Sequence, residues 1–264
     1  MGQQQRYFLE IAYDGTRYHG WQTQPNAIAV QQKLNEVLAI VLRQPVETTG
    51  AGRTDTGVHA RQLFVHLDLP VTAPQHPEGE AEVDLQGSNS PFRGLGSLNA
   101  LLPHDIAVKR IIPVHADAHA RFDATLRSYE YHIHFHKDPF KQNYSWQIKG
   151  ELDVGLMNQA AQIMMEYTDF GCFSKSNTQV KTNNCKIVRA EWVQMGDGLV
   201  FHVSADRFLR NMVRAIVGTC MMVGRKEIAP EAIRQIIESK NRSNAGTSVP
   251  ACGLYLTEVK YPYI

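Results

Sequence analysis

The sequence predicts an α+β protein of two similar-sized subdomains that meet at a shared, mainly antiparallel sheet. Three observations carry this reading. Apolar residues recur with period 2 in both halves of the chain, and segments with the 3.6-residue helical period stand among them. Strands follow one another through hairpin-type punctuation instead of alternating strictly with helices, which argues against a doubly wound sheet. The 264 residues are enough for one large domain or two medium ones. No sequence repeat at a fixed period is visible.

The elements follow in order. Residues 6–15, "RYFLEIAYDG", place Tyr7, Leu9, Ile11 and Tyr13 on one face and end in Asp-Gly, a strand and its turn. Residues 28–45 put Val30, Leu34, Val37, Leu38, Val41 and Leu42 on one helical stripe that stops near Pro45. A short β-like segment, "PVETT", precedes a glycine-rich polar stretch. Residues 62–70 form a strand with Leu63, Val65, Leu67 and Leu69 aligned, "LNALLP" a short helix, and residues 105–114 a strand. The second half opens near His115. Residues 126–137 form a strand with Tyr129, Tyr131, Ile133 and Phe135 on one face, and residues 153–167 a helix. Residues 185–208 read as a hairpin with Gly-Asp-Gly at its turn. Residues 210–224 form a helix for which Gly224 suits the C-terminal cap. Residues 229–240 form another helix, with Pro230 near its first turn, and "GLYLTEVKYPY" closes the chain as a strand. The expected boundary divides 1–114 from 115–264.

Composition narrows the function classes. With 43% hydrophobic and 20% charged residues, the chain is an ordinary folded protein and not a disordered one. Its net charge of +1 gives no global attraction to polyanions, yet charge is segregated. Residues 171–190 hold Lys175, Lys181, Lys186 and Arg189 and no acid, and basic residues outnumber acidic ones between Arg207 and Arg242. The segment 72–96 is rich in Pro, Gly, Ser and acids without any period, and reads as an exposed insertion. Cys172, Cys185, Cys220 and Cys252 form no CxxC pair, which speaks against a zinc knuckle or redox motif and for free thiols in a reducing compartment. There is no apolar signal core and no run of membrane-spanning length. A cytoplasmic protein without membrane contact is expected.

Three constellations can carry chemistry. "TTGAGRTDTGVHARQ", residues 48–62, is too polar and glycine-rich for a core strand or a helix. It fits neither a dinucleotide fingerprint nor a P-loop. It presents Asp55 two residues after Arg53 on a glycine-flanked turn. Asp55 either caps that turn through its own backbone or is a carboxylate held for chemistry, such as attack on a sugar or ring carbon. A glycosidase would need a second carboxylate, and nothing singles out Glu10, Asp14 or Asp206. The second constellation, "ARFDATLRSYEYHIHF", sets Arg121 and Arg127 beside Tyr129 and Tyr131, a mixture that stacks bases and neutralises phosphates, or else buries two sheet tyrosines. His132, His134 and His136 lie on its other face at a spacing of two. They lack the cysteine or carboxylate company of a zinc site, and no metal is expected. The third, "ADRFLRNMVRAIVG", steps Arg207, Arg210 and Arg214 through a helix start. Arg214 borders the apolar stripe, as a solvated flank or as a guanidinium reaching a buried carboxylate.

Taken together, "YDGTRYHGWQTQPN", "GAGRTDTGVHA", "HARFDATLRSYEYHI", "DFGCFSKSN", "RFLRNMVRAIVG" and "GLYL" occur in that order over nearly the whole chain. The set resembles the TruA family of tRNA pseudouridine synthases, and the long acidic segment 72–96 is the clear departure. The resemblance implies two α/β subdomains of ferredoxin-like character sharing the extended sheet around a central active-site cleft. It implies isomerisation of uridine to pseudouridine at positions 38–40 of the tRNA anticodon stem-loop, after flipping of the target base, with no metal and no organic cofactor. Asp55 matches the family's catalytic aspartate, and Arg214 its basic partner. Tyr129 matches the tyrosine that stacks on the base, with Tyr131 as its neighbour. Leu254 is similar to an apolar pocket residue, and Arg53 to the residue that holds the flipped nucleotide. Arg121, Lys175 and Arg210 add phosphate contacts. A homodimer with tRNA lying across both subunits is implied as well. A tRNA-binding folding chaperone without chemistry is the alternative; it has a use for the basic residues but none for an Asp55–Arg214 pair.

Overall fold

The computed structural model describes residues 4–70, 92, 95–175 and 182–264. The chain divides into two compact units, Met1–Ala124 with Tyr263, and Thr125–Pro262 with Ile264.

The first unit runs β1 (Gln4–Tyr13), α1 (Val30–Leu42), β2 (Thr49–Gly50), β3 (His59–Pro70), α2 (Leu95–Leu101) and β4 (Ile106–Val114). β1 lies between β3 and β4, antiparallel to both, and β2 pairs with β3. The period-2 residues behave as the sequence predicts: Leu9, Ile11, Leu63 and Val65 are fully buried. So are Phe8 and Phe64 on the opposite face, which alternation does not anticipate. For Phe8 the reason lies far along the chain. Tyr263 packs edge-on to Phe8 at 6.1 Å, and Ala120 donates its N–H to His66 Nδ1 at 3.1 Å. Residues 115–123 and Tyr263 thus close one end of the second face. Each such buried aromatic or aliphatic side chain contributes about 1.5–3 kcal/mol. α1 turns its stripe inward and ends at Arg43 in the left-handed region (φ 54°), just before Pro45. Most of the acidic segment 72–96 lies outside the described residues. Phe92 within it is buried against Tyr7, ring centroids 5.3 Å apart, so that position is not exposed.

The second unit runs β5 (Leu126–His134), β6 (Trp146–Gln147), α3 (Val154–Met164), β7 (Ile187–Met195), β8 (Gly198–Ala205), α4 (Met212–Gly224), α5 (Ala232–Glu238) and β9 (Leu254–Lys260). Its sheet has the order β9-β5-β8-β7, all antiparallel, with β6 added parallel to β5. Asp153 caps α3 by accepting the Leu156 N–H. Asn158 fastens α3 to the sheet, exchanging two hydrogen bonds with the Trp192 backbone at 2.7 and 3.0 Å. α4 is buried over almost its whole circumference, so it is a core helix and not an amphipathic surface one.

Three expectations are corrected here. α4 begins at Met212, so Arg207 and Arg210 precede the helix. Gly224 is the last helical residue and not a left-handed cap. A Cβ there would meet Met157 Sδ at 2.6 Å, so packing on α3 requires the glycine. The three strand histidines do not share an open face: His134 is buried, within hydrogen-bond distance of Ser145 Oγ at 2.9 Å, and His132 Nε2 sits 2.9 Å from Glu130. Among the described residues no His, Cys, Asp and Glu cluster could hold a metal, and no helix is long and apolar enough to cross a membrane.

Candidate active site

In the first unit, Arg53 and Asp55 stand in the irregular segment between β2 and β3, Arg53 exposed and Asp55 half-buried. Glycine and threonine keep this segment out of the ladder, and its main chain is tied down on both sides of Asp55. Trp21 N–H donates to Thr54 O at 3.4 Å, Gly57 N–H to Tyr18 O at 3.3 Å, and Val58 N–H to Asp55 O at 3.2 Å. Buried Thr54 joins Tyr13 through their hydroxyls at 2.8 Å. The partner loop, residues 14–21, approaches closely at Gly20. That residue has φ +86°, and a Cβ there would stand 2.3 Å from Thr54 O. Only glycine meets both demands.

Residues 14–21 are themselves anchored. Asp14 Oδ1 accepts the N–H and hydroxyl of Thr16. Asp105 accepts from Arg17 Nε at 2.8 Å and Tyr18 OH at 2.7 Å. Burial, helped by that bond, pushes the Tyr18 phenol well up, so it stays a donor. His59, for which sequence alone supplies no role, is buried at the base of the loop, its Nδ1 3.1 Å from Gly15 N and 3.0 Å from Asp14 Oδ1. It pins β3 to the partner loop.

In the second unit the structure brings Tyr129, Leu254 and Arg214 onto connected elements. Tyr129 on β5 lies opposite Val203 of β8 and Leu256 of β9, beside a register break in the β5–β9 pairing. Its ring meets Phe208 edge-on at 5.1 Å and 86°. Tyr131, two residues on and on the same face, is fully buried opposite Leu254. Burial pushes its phenol far up, and it donates to Pro250 O at 2.8 Å. It is a core residue and not a base. Arg214, in the first turn of α4, is half-buried and donates from Nε to Val249 O at 2.7 Å, while its own carbonyl accepts the Val249 N–H at 3.3 Å. The segment 249–250 therefore anchors both the arginine helix and the tyrosine strand. A solvated flank does not describe Arg214.

The residues expected to meet phosphate are all exposed. Lys175 and Arg210 are neighbours, Lys175 N–H donating to Arg210 O at 3.1 Å. Arg121 falls in the first unit, with Cζ 5.7 Å from the Phe122 ring centroid. Sequence reasoning missed Phe208, although it stands in the quoted arginine stretch. An aromatic in a loop has no periodic partner that would betray its neighbour on a distant strand.

A family model described as tRNA pseudouridine synthase matches residues 160–262. The tRNA pseudouridine synthase A of Bacteroides fragilis is 50% identical over 260 residues, 98% of this chain and 97% of that one. Those of Parabacteroides distasonis and Porphyromonas gingivalis are each 48% identical, over 97% of this chain and 96% and 97% of theirs.

Proposed function

Since the chain belongs to the tRNA pseudouridine synthase A family and is an isomerase acting on tRNA, we propose that Asp55 is its catalytic nucleophile and that it modifies uridines at positions 38–40 of the anticodon stem-loop. The observation that carries this reading is the loop around Asp55. Its main chain is fixed through Thr54, Asp55, Gly57 and Val58, which sets the backbone from which the half-buried Asp55 is presented. That is what nucleophilic catalysis needs.

In the proposed reaction the N1–C1′ bond of uridine breaks, the uracil turns over in the site, and C5 bonds to C1′. The C5 proton leaves and N1 takes one up, so substrate and product are isomers and no oxidant or cofactor is consumed. Attack of Asp55 on C1′, attack on C6, and carboxylate-promoted elimination to a glycal all start from an ionised carboxylate. Arg214 is proposed as the basic residue that supports this chemistry, its guanidinium being suited to pair with a carboxylate. Flipping the target base costs a few kcal/mol of stacking. Tyr129 replaces that stacking, Arg53 holds the flipped nucleotide, and Leu254 supplies an apolar wall. Arg121, Lys175 and Arg210 meet phosphates. The first unit carries the Asp55 loop and the second the tyrosine strand and arginine helix, and the enzyme is proposed to work as a homodimer that a tRNA spans.

The test is tritium release from tRNA labelled at uridine C5, followed by mapping of the modified positions with carbodiimide and primer extension. Asp55→Asn is expected to bind tRNA and release no tritium above background. Full release by a folded Asp55→Asn protein would remove Asp55 from the chemistry. Pseudouridine mapped only outside 38–40 would overturn the site assignment.

A further inference from the structure

The turn formed by residues 115–123 is built more firmly than a surface connection needs. Arg6, held by Asp68 through two 2.7 Å hydrogen bonds, donates from its guanidinium to Ala118 O at 2.8 Å. His66 of β3 accepts the Ala120 N–H. Asp123 Oδ2 accepts both the His119 N–H at 2.7 Å and the Tyr263 hydroxyl at 2.8 Å. His119 Nδ1 accepts the N–H groups of Arg121 and Phe122 at 3.1 and 3.3 Å. The imidazoles of His66 and His119 stack edge to face at 4.7 Å, and Phe122 lies tilted on His119 at 4.2 Å. The product of all this anchoring is a phenylalanine ring 74% exposed to solvent, with the Arg121 guanidinium beside it.

A single exposed phenylalanine needs no explanation by itself. An exposed ring with its backbone fixed, a histidine behind it and a cation at its side is another matter. Those are the parts of a stacking platform for an unpaired nucleobase, with a phosphate contact attached. The chain acts on tRNA, so the ligand class is at hand. The platform is not part of the Asp55 loop. Seven residues of β3 separate His59, under that loop, from His66, under the platform, and at about 3.3 Å per residue this is on the order of 20 Å.

We infer that Arg121 and Phe122 form a second tRNA contact that stacks an unpaired base other than the target uridine. The site positions tRNA and does not touch the reacting atoms. It therefore contributes to affinity and KM, and leaves kcat unchanged. Because the readout is binding, its outcome is independent of whether Asp55 is the nucleophile.

The experiment measures the Kd for an unmodified tRNA transcript, its salt dependence, KM and kcat, and the sedimentation of the free protein. Phe122→Ala is expected to weaken binding between about 5- and 150-fold, the range found when a base-stacking aromatic is truncated, and to raise KM with kcat within about twofold. Phe122→Trp should restore both. Arg121→Ala should weaken binding and reduce the salt slope by about one. An unchanged Kd for Phe122→Ala would overturn the inference. So would a change in sedimentation with Kd intact, which would make the ring a contact between protein copies.

Discussion

The Asp55 loop of the first unit and the Tyr129–Arg214 framework of the second solve the same problem by different means. The loop has no regular structure, and it is fixed by main-chain hydrogen bonds and by a close approach at Gly20. The bonds between Trp21 and Thr54, Tyr18 and Gly57, and Asp55 and Val58 all join main-chain atoms. In the second unit the side chains proposed to act are also structural ones. Arg214 clamps Val249 through Nε and its carbonyl. Tyr131 carries the adjoining Pro250, and α4 is packed into the core. The loop is tied through main-chain atoms, whereas the second unit is held in part through side chains proposed to act.

The sharpest test of that difference pairs two substitutions. Asp55→Asn is expected to lower activity on the order of 10⁴-fold or more, as loss of a nucleophile does, with a smaller fall in Tm than Arg214→Ala causes. Arg214→Ala should lower activity and also destabilise the protein by about 1–3 kcal/mol, because the buried Val249 carbonyl loses a charged donor. Equal Tm losses in the two variants would erase the distinction.

Glycine substitutions move the comparison to the backbone. Gly20→Ala combines a positive φ with a Cβ 2.3 Å from Thr54 O. Gly218→Ala in α4 places a Cβ 1.9 Å from Thr247 O. Main chain cannot yield as a side-chain tip can, so each is expected to cost several kcal/mol in denaturant unfolding. Gly20→Ala should in addition displace Asp55 and reduce tritium release in the surviving folded fraction.

Acid stability reads the first unit away from its loop. Burial lowers the pKa of His66 to about 4 from the usual 6.5. The unfolded chain then takes up the proton first as pH falls. The stabilisation from neutral His66 is complete above pH 6.5 and is lost progressively down to about pH 4. The full effect is about 3 kcal/mol. Burial also lowers His119, so part of the slope in this window belongs to it. His66→Gln, which retains an acceptor for the Ala120 N–H, should flatten the fall in unfolding free energy between pH 6.5 and 4. An unaltered slope would show that His66 contributes nothing to it.

The smallest effect is expected at Phe208, whose ring meets Tyr129 edge-on. Phe208→Ala should cost about 1 kcal/mol of aromatic contact, read as a several-fold fall in kcat/KM. Phe208→Tyr should recover most of it, and an equal loss in both variants would mean that the ring edge is not what matters.

The order and type of the long elements were legible from periodicity: the faces of β1 and β3 that carry Leu9, Ile11, Leu63 and Val65, the stripe of α1, and the hairpin of β7 and β8. So was the irregular middle of the polar stretch around Asp55, residues 51–58, although Thr49–Gly50 form β2 and His59–Gln62 already belong to β3. What periodicity could not supply were contacts made by distant chain. Phe8 is packed by Tyr263, Gly224 serves packing on Met157 instead of a cap, and His134 lies inside and not on an open strand face. His59 takes its structural role from Asp14 and Gly15, which lie against its imidazole, and Arg214 adds to its sequence-based reading a structural role through the Val249 carbonyl at its Nε. Sequence by itself determined which residue types could do chemistry and which local conformations they could adopt, since both depend on near neighbours. The tertiary structure alone decided which of those residues are buried, anchored or presented to solvent. Burial and close approach are properties of segments that meet in space after long intervals of chain.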